Sequence, residues 1–252
     1  MAEPIIQFDH VCKSFDQNPV LRDFSLSIEA GTFLTVIGRS GCGKTTALRL
    51  VNGLIAADSG RVLVRGQDVG ETDPVALRRR IGYTIQNVGL FPHMTVEKNI
   101  AYVPAISKSP LWKGPERRRR AEELLESVGL EGALAGRYPR ELSGGQRQRV
   151  GIARALAAEP DILLMDEPFG AVDEITRRQL QDEILRLHRG RDITILFVTH
   201  DIEEALKLGT RVLVMEEGRA TQFDPPSVVM TDPATPFAAQ LVRRSRAFAP
   251  RQ

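Results

Sequence analysis

Few aromatic residues, two cysteines and little net charge set the first limits on what this chain does. Aromatic residues make up 6% of its 252 residues, too few for a platform that stacks nucleic-acid bases. The formal net charge is +2, which argues against a protein built mainly to bind nucleic acid. Cys12 and Cys42 lack the spacing of metal ligands, and we expect neither in a disulfide, which indicates a reducing compartment.

Long apolar runs are also missing. None approaches the roughly 20 residues that a membrane-spanning helix needs. The N-terminus, Met1-Ala2-Glu3-Pro4, has no basic segment followed by an apolar core, so we expect no export signal. The apolar content of 42% is enough for a packed core. The length favours one large α/β domain, or one with an inserted subdomain, in a soluble cytoplasmic protein that only a partner would hold at a membrane.

The chain is organised around the stretch Gly38-Arg39-Ser40-Gly41-Cys42-Gly43-Lys44-Thr45. It fits the phosphate-binding loop pattern G-x-x-x-x-G-K-[ST], with a predicted buried strand before it and a predicted helix after it. Glycines let successive N–H groups turn toward phosphate oxygens. Lys44 supplies a cation for the β- and γ-phosphates, and Thr45 a hydroxyl for Mg²⁺. We include Thr46, the next residue, in this nucleotide site.

A pair of carboxylates follows a second apolar strand. Asp166 and Glu167 come directly after the run 162–165, where a parallel strand beside a phosphate loop holds Mg²⁺. We expect Asp166 to be a metal ligand, through water. Glu167 is placed to act as the general base for an attacking water.

The rest of the pattern predicts an α/β domain with additions. Strands are expected in 5–28 around a turn at Gln17-Asn18-Pro19, and again at 61–66, 81–85, 194–199 and 212–215. Asp73 is expected to cap a short helix at 74–80. Residues 1–86 and 160–242 would form the nucleotide-binding core with an antiparallel β-layer, 87–159 a helical subdomain, and 243–252 a basic tail on the surface or partly disordered. We expect the arginine run 117–120 to be a solvated helix face rather than a lipid or RNA contact.

The most specific signal is Leu142-Ser143-Gly144-Gly145-Gln146. Ser143 is a good N-cap, and a helix from Gln146 through Ala158 would aim its positive end outward as a second phosphate-binding site. Here the sequence resembles the ATP-binding cassette (ABC) ATPases, whose signature is this pentapeptide. The resemblance covers nearly the whole chain and implies a P-loop cassette with a RecA-like core. It also implies a head-to-tail dimer in which the signature of one copy faces the γ-phosphate held by the other.

Further positions match motifs of that family. Gln86 matches the glutamine that touches Mg²⁺ or the attacking water. His200 matches the switch histidine at the γ-phosphate, and Asp173 the acid of the loop that crosses the dimer interface. Gly170 and Val172 depart mildly from the usual Ser-Ala-Leu-Asp of that loop. Phe15 falls where the family stacks an aromatic ring, commonly that of Tyr, on adenine. Phe lacks the Tyr hydroxyl but keeps the ring face that stacks.

Within the family, the segments 85–96, 138–141 and 170–177 resemble ATPase subunits of bacterial importers for glycine betaine, choline, carnitine and related osmoprotectants. The resemblance implies two transmembrane permease partners, a periplasmic or lipid-anchored substrate-binding protein, and a place at the cytoplasmic face of the membrane. A groove around Gln86, with Leu90, Phe91 and Met94 expected to be exposed, would receive a permease helix. The chain ends too soon for the C-terminal regulatory domain that many such subunits carry, so we expect none.

Three other interpretations stay open. The motifs do not separate osmoprotectant import from import of another small solute such as an amino acid, taurine or a polyamine. A soluble ABC ATPase acting on ribosomes or DNA is disfavoured because such proteins generally carry two cassettes or long coiled coils. An exporter is disfavoured because exporters often fuse the membrane domain to the cassette.

Overall fold

The structure is a computed structural model that describes residues 3–85, 89–170, 172–190 and 192–248, with the side chains of 244–248 left out. Residues 1–77 and 194–252 form one compact unit, and residues 78–193 form a second. The sequence predicts a division into core and helical subdomain at 86–87 and 159–160, and that functional division stays a prediction. No helix in the described ranges is both long and apolar enough to cross a membrane.

The strands and helices follow the chain in this order. The strands are β1 (Ile6–Phe15), β2 (Asn18–Ile28), β3 (Phe33–Gly38), β4 (Ser59–Val64), β5 (Gln67–Asp68), β6 (Ile81–Thr84), β7 (Ile162–Asp166), β8 (Thr194–Val198), β9 (Arg211–Glu216) and β10 (Arg219–Asp224). The helices are α1 (Lys44–Val51), α2 (Pro74–Arg79), α3 (Val96–Ile100), α4 (Tyr102–Ile106), α5 (Gly114–Ser127), α6 (Gly144–Leu156), α7 (Glu174–Gly190), α8 (Ile202–Leu208), α9 (Pro226–Thr231) and α10 (Pro236–Phe248).

The antiparallel layer of the first unit has the strand order β2-β1-β4-β5. The expected turn at Gln17-Asn18-Pro19 is wrong by two residues. Asp16 (φ 46°) and Gln17 (φ 67°) make the turn, and Asn18 already pairs with Phe15 in β2. Two positive φ values suit the right-handed twist of a tight hairpin. Neither residue is glycine, which is why sequence pattern misplaced the turn.

A bulge in β1 explains the spacing of its buried residues. Ile6, Phe8 and Val11 are all at most 2% exposed, although Phe8 and Val11 are an odd number of residues apart. The pairing register shifts between Phe8 and Val11, and His10 lies in that interval with φ 49°. The extra residue returns Val11 to the core face.

The second sheet of this unit runs β10-β9-β3-β8. Strand β3 is parallel to both β8 and β9, and β10 returns antiparallel to β9. Every residue of β3 and β8 is buried, and for β3 this confirms the buried strand that the sequence predicts before the phosphate loop. Strand β10 was not predicted: it is short and, except for Gln222, at most half-buried.

Helix α10 packs into the hydrophobic core of this unit. Its buried Ala238 and Val242 pack with Ile37, Val212 and other residues in one core cluster. The helix runs to Phe248, so 243–248 are helical rather than disordered, and Arg243 is exposed as expected of a surface tail. The apolar positions three and four residues apart were the available signal for this helix.

The second unit carries most of the helices together with the parallel pair β6–β7. Helix α6 packs on β6 so closely that a Cβ on Gly82 would lie 2.7 Å from the carbonyl oxygen of Ala155. Helix α5 is amphipathic, with Ala121 and Leu125 fully buried. It contains the arginine run 117–120 that the sequence places on a helix face.

The arginines of α5 are engaged with acidic neighbours. Arg118 pairs with Glu122 at 2.8 Å, and Arg119 pairs with Glu116 and Glu123. These exposed pairs on one helix support the interpretation of a solvated face and add little to stability.

The segment 89–95 is held by one buried amide. Asn99 is 0% exposed; its Oδ1 accepts from Phe91 N at 2.7 Å. Its Nδ2 lies 3.0–3.1 Å from the carbonyl oxygens of Phe91, Met94 and Thr95. Leu90, Phe91 and Met94 are half-buried rather than exposed. The side chain of Asn99 therefore supplies hydrogen bonds to the main chain of this segment, which has no regular secondary structure.

We predict that Asn99→Ala lowers the free energy of unfolding by about 3 kcal/mol, because buried main-chain groups of 91–95 lose their partner. Urea denaturation followed by circular dichroism measures the change. Lys98→Ala, a neighbouring exposed position, is the matched control and should change stability by less than about 0.5 kcal/mol. A loss below about 1 kcal/mol for Asn99→Ala would show that the loop is held by other contacts.

Candidate nucleotide site and signature helix

The phosphate-loop residues form a turn that is tightly packed on one side and open at Gly41. A Cβ on Gly38 would lie 2.4 Å from the carbonyl oxygen of Met215 in β9, and one on Gly43 would lie 2.6 Å from Leu21 Cδ2. Gly43 also has φ 103°, a conformation that favours glycine. By contrast, nothing lies within 4 Å of a Cβ built on Gly41. The loop is thus packed against β2 and β9 on its inner side, and the open space lies at Gly41.

Lys44 places its ammonium inside this turn. The residue is 7% exposed, and its Nζ donates to the carbonyl oxygens of Gly38 at 2.8 Å and Arg39 at 3.0 Å. Those bonds use two of the three ammonium donors. The first bond of the α1 ladder runs from Ala47 N to Gly43 O at 2.9 Å, so the N–H groups before Ala47 lie outside that ladder. A buried cation beside helix N–H groups is an environment that suits a phosphate anion.

The remaining loop residues divide by exposure. Arg39, Ser40 and Gly41 are exposed, whereas Thr45 and Thr46 are half-buried. Cys42 is buried, and its N–H donates to the carbonyl oxygen of Arg39 at 3.3 Å. Burial raises the pKa of the Cys42 thiol, so the thiol stays neutral and the residue acts through its main chain.

His200 is brought to the same sheet edge as the loop. In the parallel pairing Val36 lies opposite Val198, and Thr199 N donates to Val36 O at 3.1 Å. Carrying this register two residues further aligns His200 with Gly38, and neighbouring strands lie about 4.8 Å apart. His200 is exposed there, so its imidazole is accessible from the solvent side of the loop.

A buried hydrogen-bond frame fixes the turn that presents His200. Thr199 Oγ1 donates to Glu204 Oε2 at 2.6 Å and accepts from Asp201 N at 3.0 Å. Asp201 in turn caps α8, its Oδ1 accepting from Glu203 N at 2.8 Å. Sequence analysis did not single out these residues. The spacing of Asp201 before an apolar helix was the available signal.

Phe15 ends β1 with its ring 42% exposed. Lys13 Nζ lies 5.4 Å from the ring centroid and pairs with Asp58 Oδ1 at 2.6 Å. The ring therefore offers an accessible face beside a cation, which suits stacking on a planar heterocycle.

In the second unit, β7 delivers the carboxylate pair. Asp166 is its last residue and is 7% exposed, while Glu167 is half-buried. Glu167 has φ 45°, a left-handed conformation that is strained for a glutamate and occurs preferentially at functional sites. This left-handed residue comes immediately after the end of β7.

The signature residues begin helix α6, two residues earlier than expected. Ser143 Oγ accepts from Gln146 N at 3.2 Å, and Gln146 Oε1 accepts from Ser143 N at 2.8 Å. This reciprocal capping box uses the Gln146 side chain locally. Ser143 and Gly144 are exposed, so the helix presents its positive end to solvent, and it ends at Leu156 rather than Ala158.

The signature helix packs against the start of α7. A Cβ on Gly145 would lie 3.5 Å from Thr176 Cγ2 and 4.0 Å from Val172 Cγ1. Asp173 Oδ1 accepts from Thr176 N at 3.0 Å, and that N–H holds the pKa of the Asp173 carboxyl below its usual value. The structure therefore groups the signature with Asp173, and it groups the phosphate loop with His200. Gln86 and Ala171 lie outside the described residues.

Comparison with protein families matches residues 21–170 to the ABC transporter model. Over 96% of its length the chain is 44% identical to the carnitine transport ATP-binding protein OpuCA of Listeria monocytogenes, and it covers 60% of that protein. The chain thus spans about three fifths of the length of OpuCA.

Two further relatives have different names. The chain is 46% identical to the glycine betaine uptake system ATP-binding protein YehX of Escherichia coli, over 96% of the chain and 77% of YehX. It is also 46% identical to the sulfate/thiosulfate import ATP-binding protein CysA of Methylococcus capsulatus, over 94% of the chain and 68% of CysA.

Among solved structures, a dimeric post-hydrolysis state of the ATP-binding cassette MJ0796 bound to ADP and Pi is similar. Its TM-score is 0.81 at 32% identity, covering 88% of this chain and 98% of that one. The expected cassette fold is confirmed by this likeness.

We predict that Thr199→Val lowers the free energy of unfolding by about 2 kcal/mol, because the buried Glu204 carboxylate and the Asp201 N–H both lose their hydroxyl partner. Urea denaturation measures the loss. Thr199→Ser keeps the hydroxyl and should lose less than half as much. A larger loss for Thr199→Ser, which removes the methyl group, than for Thr199→Val, which keeps it, would assign the effect to the methyl group and would contradict the hydrogen-bond frame.

Proposed function

This chain belongs to the ABC transporter family, and we propose that it binds and hydrolyses ATP to energise import of a small solute. The observation that carries the proposal is the phosphate loop itself. Its inner side is closed by β9, its mouth is open at Gly41, and a buried Lys44 ammonium lies within it. This combination is suited to a polyphosphate chain.

The oxygen donors available suit Mg²⁺ as the companion ion. Thr45 offers a hydroxyl and Asp166 a carboxylate, and Mg²⁺ prefers few protein ligands in addition to substrate phosphates and water. Gln86 is proposed as a further ligand. When bound, Mg²⁺ offsets the negative charge of the β- and γ-phosphates. Among the residues that the structure describes, no three His, Cys, Asp or Glu side chains cluster as metal ligands.

For hydrolysis we assign Glu167 as the general base. Its carboxylate takes a proton from the attacking water as the water oxygen bonds to the γ-phosphorus and the bond to the ADP oxygen breaks. His200 donates a hydrogen bond to the γ-phosphate, and the ring of Phe15 stacks on adenine. Lys44 and the loop N–H groups hold the phosphates in place.

The exposed start of α6 is proposed to complete the site of a second copy. Ser143 and Gly144 are exposed to solvent at the N-terminus of α6. The positive end of the helix dipole at this position suits an anion supplied by another molecule. A head-to-tail pair would bind two ATP molecules, and Asp173 would lie at its interface. The dimeric state of the similar cassette MJ0796 supports this assembly.

The names of the relatives support the transport role that we propose. We propose that the chain works at the cytoplasmic face of a bacterial membrane, beneath two permease subunits fed by a substrate-binding protein. The segment 89–95, fixed by Asn99, would receive a permease helix. Carnitine and glycine betaine transport in the relatives' names favours a quaternary amine as the solute.

Import of a different solute is the second candidate. A sulfate/thiosulfate relative matches at 46% identity, the same level as the glycine betaine relative. Substrate does not contact the ATPase subunit, so the nucleotide site cannot distinguish these solutes.

We predict opposite phenotypes for two substitutions in the proposed nucleotide machinery. Lys44→Ala removes the cation and should weaken ATP binding at least about tenfold. Glu167→Gln removes the base but keeps the size of the side chain, so ATP stays bound while turnover falls at least about a hundredfold. Equilibrium dialysis and phosphate release measure the two quantities. Undiminished turnover by Glu167→Gln would exclude Glu167 as the base, and unchanged ATP binding by Lys44→Ala would refute the nucleotide site.

We predict that a strain lacking this chain loses uptake of radiolabelled glycine betaine, choline or carnitine at high osmolarity, and that the wild-type chain restores it. Glu167→Gln at equal expression is the control and should not restore uptake. Sulfate uptake should be unaffected. Loss of sulfate uptake with normal quaternary-amine uptake would instead support the second candidate.

A further inference from the structure

An arginine of the phosphate loop makes a cation–π contact with an aromatic ring of helix α10. The guanidinium carbon of Arg39 lies 5.1 Å from the ring centroid of Phe237. Arg39 is exposed and follows Gly38 directly, whereas Phe237 is the second residue of α10 and is half-buried. The two residues are 198 positions apart in the chain, so this contact is a product of the fold.

The ring of Phe237 is fixed relative to the loop by two further links. It packs against the core cluster that contains Ile37, the residue before Gly38. Thr235 accepts from Ala238 N at 3.1 Å as the cap of α10 and donates to Glu216 Oε1 at 2.5 Å. Glu216 follows Met215, whose carbonyl oxygen packs against Gly38. The start of α10 is therefore tied to the base of the phosphate loop.

A cation–π contact with one ring leaves N–H donors of a guanidinium available for an anion. The guanidinium carbon of Arg39 lies over the ring of Phe237, and a guanidinium has five N–H donors in its plane. Within the described ranges, no carboxylate pairs with Arg39. An oriented cation with unused in-plane donors, on the exposed limb of a phosphate loop, is suited to a phosphate oxygen.

We propose that Phe237 is a positioning residue that holds Arg39 at the mouth of the phosphate loop, where Arg39 acts as a second cation, besides Lys44, for the phosphates of bound nucleotide. The proposal rests on nucleotide binding at this loop. It assigns a role in the nucleotide site to α10, a helix that contains none of the motif residues.

A double-mutant cycle on the full chain tests this coupling. Arg39→Gln should raise the Kd for ATP about fivefold, consistent with one partly exposed charge contact. Phe237→Leu keeps apolar volume but loses the ring and should raise it about threefold, the size of an exposed cation–π contact. The double variant should match Arg39→Gln alone, because Phe237 acts only through Arg39. Phe237→Tyr restores a ring and should restore the wild-type Kd.

Salt dependence separates this role from a structural one. The ATP affinity of the wild type should fall more steeply with ionic strength than that of Arg39→Gln, because an exposed charge is screened. Phe223→Leu is the matched control. The guanidinium carbon of Arg211 lies 5.7 Å from the ring centroid of Phe223, and neither residue belongs to the phosphate loop. Phe223→Leu removes that ring and should leave the Kd for ATP unchanged.

Three outcomes would overturn the proposal: an unchanged Kd for Arg39→Gln, additive effects in the double variant, or no rescue by Phe237→Tyr. Lys44→Ala measured in the same assay identifies which claim has failed. If Lys44→Ala loses ATP while Arg39→Gln does not, only the Arg39–Phe237 assignment is wrong. If Lys44→Ala binds ATP normally, the nucleotide site itself is wrong.

Discussion

The close approach of β9 to Gly38 is the constraint on which the phosphate loop and its neighbours depend. Any side chain at position 38 would collide with the carbonyl oxygen of Met215 and with Cys42 Sγ, so the loop begins where two main chains touch. The same contact positions the residues at the ends of the neighbouring strands. His200 follows the end of β8, where Val198 pairs with Val36 of β3, and Glu216 ends β9 and anchors the start of α10. The site is thus built from the ends of three adjacent strands.

Features that depend on local chemistry were predictable from sequence. The phosphate loop, the Asp73 and Ser143 caps and the buried strands all follow from a few adjacent residues, and the structure contains each of them. The turn at Asp16–Gln17 and the bulge at His10 were not predictable in this way, because ordinary residues adopt positive φ there. Tertiary pairing imposes that conformation against local preference.

The candidate site shows the same division. Glycine spacing identified the loop and its lysine. The residues next to Glu167 in the sequence do not predict its left-handed backbone, and those next to Arg39 do not predict its contact with Phe237. Thr199 and Glu204 are only five residues apart, but their bond matters because both are buried. Burial is a property of the folded chain, and sequence periodicity predicts it poorly for polar residues.

Lys44 and Arg39 illustrate how one loop can combine two electrostatic regimes. Lys44 is buried and held by main-chain carbonyls, so its attraction for an anion acts at short range in a low-dielectric setting and is little affected by salt. Arg39 is exposed and held by a ring, so its attraction is weaker and screened. A buried lysine would therefore set the strength of phosphate binding. An exposed arginine at the mouth would add attraction that salt can reduce. Because Phe237 contacts Arg39 and not Lys44, loss of its ring would weaken the second contribution and leave the main-chain contacts of Lys44 in place.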